Sequence, residues 1–107
     1  MTAAAFDTHC HLQDSKIRDN FRAVRARARD AGVAGVALCG YDAPSNAEAL
    51  ELANREPGIH PAVGFHPHEA DGVSSTMLAD LESLARLDEV VAVGEIGLDF
   101  YRGLATE

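Results

Sequence analysis

Three short segments carry residue types that can do chemistry, at spacings that matter. The first is Asp7-Thr8-His9-Cys10-His11. Alternate residues of a strand share a face, so His9 and His11 point the same way and can grip one ion. Imidazole is a common ligand for Zn²⁺ and similar ions. Cys10 then points to the opposite side, toward the helices, and reads as structural. The second segment is Gly94-Glu95-Ile96-Gly97-Leu98-Asp99. Glu95 follows the apolar run Val90–Val93, where a carboxylate is costly unless it is paired or on a metal. Its two oxygens suit a bridge between two ions ~3.5–4 Å apart. The plainer alternative is a partner for a lysine or arginine. The third segment is Gly64-Phe65-His66-Pro67-His68. Pro67 stiffens the loop. His66 is nearest the strand end and is the better candidate to hold a substrate phosphate oxygen or a metal-bound water. His68 lies one step further out. Asp99 and Tyr101 read equally as outer, substrate-facing residues or as a solvated loop, and His60 reads as structural.

These residues need elements to position them. β-rich runs occur at Ala5–His9, Gly35–Cys39, His60–Phe65 and Val90–Glu95. Helical patterns fall between them, over Asp19–Ala31, Ser45–Glu56 and Ser75–Leu87. Phe21, Val24 and Ala28 recur at helical spacing, with Gly32 as a stop signal. Pro57-Gly58 ends the second helix. Met77, Leu78, Leu81, Leu84 and Ala85 make one apolar stripe on the third, with Ser74 or Ser75 as N-cap. Strands alternating with helices imply a parallel sheet with right-handed crossovers. The strands Val36-Ala37-Leu38 and Val90–Val93 are apolar on both faces, as buried parallel strands are. The expected strand ends, near residues 9, 40, 65 and 95, are where the candidate residues gather. Chemistry collects at the C-terminal ends of strands in such folds. The spacing suits either a piece of a (β/α)₈ barrel or an open α/β sheet. Arg18, Arg22, Arg25 and Arg29 form a stripe on the first helix that reads as a solvated face rather than a nucleic-acid footprint.

Composition bounds the function. The chain has 107 residues, enough for one domain, and 47% of them are hydrophobic. Nine Lys+Arg stand against 17 Asp+Glu, a net charge of −8. This balance excludes a general phosphate-gripping nucleic-acid binder, though not an enzyme that holds phosphates with metal ions in one small site. No apolar run approaches the ~20 residues of a membrane span. Met1–Ala5 offers no basic stretch ahead of an apolar run, so no signal peptide is expected. Cys10 and Cys39 form no CxxC pair. A cytoplasmic protein without a membrane partner is the expectation.

An HxH pair alone is ambiguous among several metallohydrolase groups. Taken in order and at these separations, Phe6–His11, Gly64–His68 and Gly94–Phe100 resemble the first three signatures of TatD-type hydrolases, and the resemblance spans nearly the whole chain. It implies a TIM barrel of the amidohydrolase superfamily, with two divalent ions (Zn, Mg or Mn). It implies hydrolysis of phosphodiester bonds in DNA, often as a 3′ exonuclease. By position, His9 and His11 hold one ion and Glu95 bridges to the second. Glu95 and His66 are the catalytic candidates, and His66 and His68 face the substrate. The family's remaining ligands, two histidines and an aspartate, come from later strands, and eight βα units need ~250 residues. Residues 1–107 are therefore expected to be a partial domain, the N-terminal half of the barrel, with four strands and three helices. The alternatives are another metal-dependent ester or amide hydrolase on the same barrel, or an inactive half-barrel. A missing second half or self-association is the expected partner, beside DNA as substrate.

Overall fold

The computed structural model describes residues 4–103 and Ala105. Met1 to Ala3, part of the stretch read for an export signal, lie outside the described residues. The order is β1 (Ala5–Cys10), α1 (Phe21–Asp30), β2 (Val33–Cys39), α2 (Ala43–Arg55), β3 (Ile59–Val63), α3 (Ser75–Ala85) and β4 (Ala92–Val93). Short 3₁₀ turns at Arg18–Asn20 and Pro67–Gly72 precede α1 and α3. All three strand pairs are parallel, and their order in the sheet is β1-β2-β3-β4. Sequential order decides what periodicity left open. A doubly wound open sheet reverses its strand order at a switch point, whereas a barrel does not.

Local chemistry sets the helix ends. Asp42 caps α2: its carboxylate accepts the Ser45 N–H at 2.8 Å, and the Ser45 hydroxyl accepts the Asp42 N–H at 2.9 Å. This reciprocal box starts α2 at Ala43, two residues before the expected Ser45. Pro44 is no obstacle, because a first-turn proline has no N–H partner to lose. Ser74 caps α3 by accepting the Met77 N–H at 3.1 Å. Helix α1 stops where Gly32 takes φ +99°, a left-handed conformation that favours glycine.

The core lies between the sheet and the helices. Leu12, Phe21, Val36, Leu38, Ala49, Leu52 and Ile59 form one buried cluster, with Cys10, Ile17 and Val24 packed against it. A fully buried Leu38 or Leu52 stabilises by about 1.5–3 kcal/mol over an exposed one. Cys10 is on the helix side, as expected. Burial pushes its thiol up to about 11, so it stays protonated near neutral pH and is a poor ligand or nucleophile.

Two expectations are corrected. The third and fourth strands end at Val63 and Val93, not at residues 65 and 95. The backbone leaves the ladder at Gly64 and Gly94, which frees the next residues to enter the site. Nor is the arginine stripe wholly solvated. Arg25 is 4% exposed and donates to the Val33 and Ala34 carbonyls at 3.0 and 2.8 Å. It satisfies backbone acceptors at the start of β2. Arg18 and Arg22 pair with Glu48 and Glu56 across to α2 and its end.

Candidate metal centre

The site forms where the ends of β1, β3 and β4 meet. Strand β1 carries His9, and His11 follows one residue past its end; their Nε2 atoms are 3.2 Å apart. The loop after β4 brings Glu95 against both. Its Oε1 lies 3.5 Å from His9 Nε2, and its Oε2 lies 3.4 Å from His11 Nε2. The ligand atoms of these three residues all fall within 4.8 Å of one another. The loop after β3 adds His66, whose Nε2 is 3.8 Å from Glu95 Oε1.

The hydrogen-bond pattern assigns the ring protons. His11 Nδ1 is 2.8 Å from the Cys39 carbonyl, which can only accept. His11 therefore carries a proton on Nδ1, and a neutral His11 turns the lone pair of Nε2 toward Glu95. His66 Nδ1 accepts the His68 backbone N–H at 3.1 Å, so a neutral His66 has its proton on Nε2, facing the site. A lone pair of His11 set 3.4 Å from a carboxylate oxygen is repulsive unless a proton or a cation lies between. Two imidazoles and a carboxylate converging in this way fit a divalent metal. Among the described residues the groups facing Glu95 are the imidazoles of His9, His11 and His66, and no lysine or arginine pairs with it.

The backbone is fitted around the carboxylate. Glu95 N–H donates to the Gly40 carbonyl at 2.7 Å, and Gly94 N–H to the Val63 carbonyl at 2.8 Å. The chain crosses so close to Gly64 that a Cβ there would sit 2.4 Å from the Glu95 carbonyl oxygen. Only glycine fits. Asn46, a buried residue of α2, locks this crossing. Its amide donates to the Gly64 carbonyl at 3.0 Å, and its carbonyl accepts the Gly64 N–H at 3.1 Å. No pattern in the sequence singles it out. Asn46→Ala strips both partners from buried backbone groups, at a cost of about 1–3 kcal/mol for each group left unsatisfied. The expected outcome is a lowered midpoint in urea denaturation and weaker metal binding. An unchanged midpoint would show that the clamp contributes nothing.

His68 and Asp99 meet: Nε2 and Oδ2 are 2.5 Å apart. Asp99 Oδ1 also accepts the Tyr101 and Arg102 backbone N–H groups at 3.1 and 3.2 Å. The Arg102 N–H foremost, and then His68, hold its carboxyl below the usual range. Tyr101 is 94% exposed and meets Asp99 through its backbone N–H, whereas the Asp99 side chain is tied into the site's edge through His68. Tyr41, unmarked in the sequence, lays its ring edge-on to His11 at 5.5 Å. Burial and then Asp14 push its hydroxyl up, so it remains a neutral wall. His60 sits in β3 with its ring 5.6 Å from Phe6, away from the cluster, as a structural residue.

Known proteins share this frame. The family model described as TatD related DNase matches residues 6–106. The chain is 40% identical over 101 residues to the 3′-5′ ssDNA/RNA exonuclease TatD of Pantoea vagans, covering 94% of this chain and 39% of that protein. It is 33% identical over 96 residues to the uncharacterised metal-dependent hydrolase YabD of Bacillus subtilis, covering 90% and 38%. The crystal structure of YjjV, a TatD homologue from Escherichia coli K12, superposes with a TM-score of 0.83 at 34% identity, over 91% of this chain and 38% of that one. The fold class is therefore α/β with a partial barrel, as expected. The chain spans less than half the length of each of these relatives.

Proposed function

Because the chain belongs to the TatD related DNase family, we propose that the complete protein is a metal-dependent hydrolase that cleaves phosphodiester bonds of DNA from a 3′ end. The observation that carries this is the convergence of His9, His11 and Glu95 on one point, with His11 Nε2 3.4 Å from the carboxylate. Divalent ions held there by His9, His11 and Glu95 would supply an activated water and neutralise charge on the phosphate.

His9 and His11 would hold one ion, with the His11 ring fixed by the Cys39 carbonyl. Glu95 presents one oxygen toward each imidazole and has the reach to bridge to a second ion. Two ions would need more ligands than these three residues provide, and the chain spans only 39% of the Pantoea vagans relative it matches. Zn, Mg and Mn all suit such donors. His66 turns its Nε2–H toward the site and donates to a non-bridging phosphate oxygen. His68 lines the same loop on the substrate side. Residues 1–107 would then be one partial barrel domain of four strands and three helices. No helix among the described residues is long and apolar enough to cross a membrane. The two free thiols accord with a cytoplasmic location, which cell fractionation checks.

Calorimetric titration of the folded protein with Zn²⁺ or Mn²⁺ tests the metal assignment. His9→Ala and His11→Ala are each expected to weaken binding by more than the ~10- to 100-fold typical of an outer-shell change. Both variants binding like the parent would sink the assignment. Digestion of 3′-labelled single-stranded DNA with Mg²⁺ or Mn²⁺ tests the reaction, and intact substrate under both ions would overturn it.

A further inference from the structure

The two loops that frame the site are joined by a chain of side chains from Asp99 through His68 to His66. Asp99, in the loop after β4, is pinned by the Tyr101 and Arg102 N–H groups on one oxygen. Its other oxygen takes His68 Nε2 at 2.5 Å. A carboxylate so held can only accept, so His68 keeps a proton on Nε2 whether its ring is neutral or charged. The His68 ring packs edge-on against the His66 ring at 4.1 Å, and the His68 N–H fixes His66 Nδ1 as an acceptor. The pairing therefore restrains the His66 ring from both its own flank and its backbone side. Among the described residues the hydrogen bonds and ion pair of the Asp99 carboxylate go to His68, Tyr101 and Arg102.

We propose that Asp99 is a positioning residue: acting through the His68 ring, it holds the His66 ring in the one orientation that presents an Nε2–H donor to an anionic oxygen at the site, the tautomer itself being set by the His68 backbone N–H. The anionic oxygen meant is a phosphate's, so the substrate half of this proposal rests on the nuclease reading above. The ring half does not. Without Asp99, His68 is free to turn from the loop, and His66 loses the neighbour that fixes its plane.

Nitrogen-15 spectroscopy of histidine-labelled complete protein reads the ring states directly, without metal or substrate. The parent is expected to show His66 as the Nε2–H tautomer and His68 protonated at Nε2. In Asp99→Asn the backbone N–H groups still claim the oxygen, so the amide N–H₂ faces His68. The expected result is a His68 switched to the Nδ1–H tautomer, a His66 signal broadened or shifted, and an unchanged melting temperature. kcat/KM for 3′-labelled DNA is expected to fall about 10- to 100-fold, the usual size for a supporting residue. Asp99→Ala, with His68 released altogether, is expected to lose as much or more. If His68 and His66 keep their parental signals in both variants, the positioning role is wrong, whatever the protein's activity. If the complete protein degrades no DNA, the nuclease reading fails, while the ring states still decide the role of Asp99.

Discussion

Glu95→Ala, introduced into the complete protein, should leave a folded molecule whose metal-dependent turnover has dropped on the order of 10³-fold, the upper range for removing one electrostatic group from an active site. The carboxylate is the point where three loops converge. It lies within 3.8 Å of the imidazoles of His9, His11 and His66. On the proposed reading, removing it would take the carboxylate from the metal site and leave His9 and His11 as a bare pair. The fold loses little, because Glu95 makes no ion pair with lysine or arginine among the described residues. Its structural contribution is its backbone N–H on the Gly40 carbonyl, which alanine keeps. Glu95→Gln preserves the shape and removes the charge, so it should lose turnover almost as fully. Circular dichroism establishes the fold, and digestion of labelled DNA with Mn²⁺ reads the activity. Parental turnover in a folded Glu95→Ala protein would remove Glu95 from the chemistry.

The residues visible in the sequence are those whose role depends on period and on strand ends. His9 and His11 are two apart at the end of a strand, and the period-two rule alone puts them on one side. Glu95 follows an apolar run, and the cost of a stranded carboxylate marks it. The order of the strands was not legible, since βα periodicity is common to barrels and open sheets; the β1-β2-β3-β4 order supplies it. Asp99 was ambiguous, because its link to His68 depends on how two loops curl toward each other, 31 residues apart. Asn46 was invisible for the same reason: a polar residue on a helix carries no sign that it reaches Gly64. Arg25 was legible and misread. It lies four residues after the buried Phe21, so helical spacing places both on one face. A long side chain there can bury its stem and still reach carbonyls.

Residues 1–107 produced alone should not behave as a stable monomer, and should show no DNA turnover with Mg²⁺ or Mn²⁺. Closing a barrel of this kind takes eight strands with matched tilt and shear, and four cannot do it. Strands β1 and β4 are both edges of the sheet. Unpaired edges present rows of N–H and C=O groups that recruit other chains. The apolar side chains beside β4 make this worse. Val91 and Val93 are 57% and 51% exposed, and Ile96, Leu98 and Phe100 lie further out still. Each such side chain left in water forgoes about 1.5–3 kcal/mol of burial. Against a net stability of about 5–15 kcal/mol for a whole domain, several of them together are decisive. Helix α3, with no buried residue of its own, adds little to oppose this. Relief comes from the second half of a barrel or from a second copy pairing edge to edge. Light scattering is expected to find oligomers or aggregates, and thermal melting a broad, weakly cooperative transition. Val91→Lys with Val93→Lys, charges placed on the exposed strand, should suppress association and leave the fold no more stable. A monodisperse, cooperatively melting monomer of the unaltered 107 residues would show that the edge and the apolar patch are tolerated. A monomer that also degraded DNA would show that His9, His11 and Glu95 suffice without the later strands.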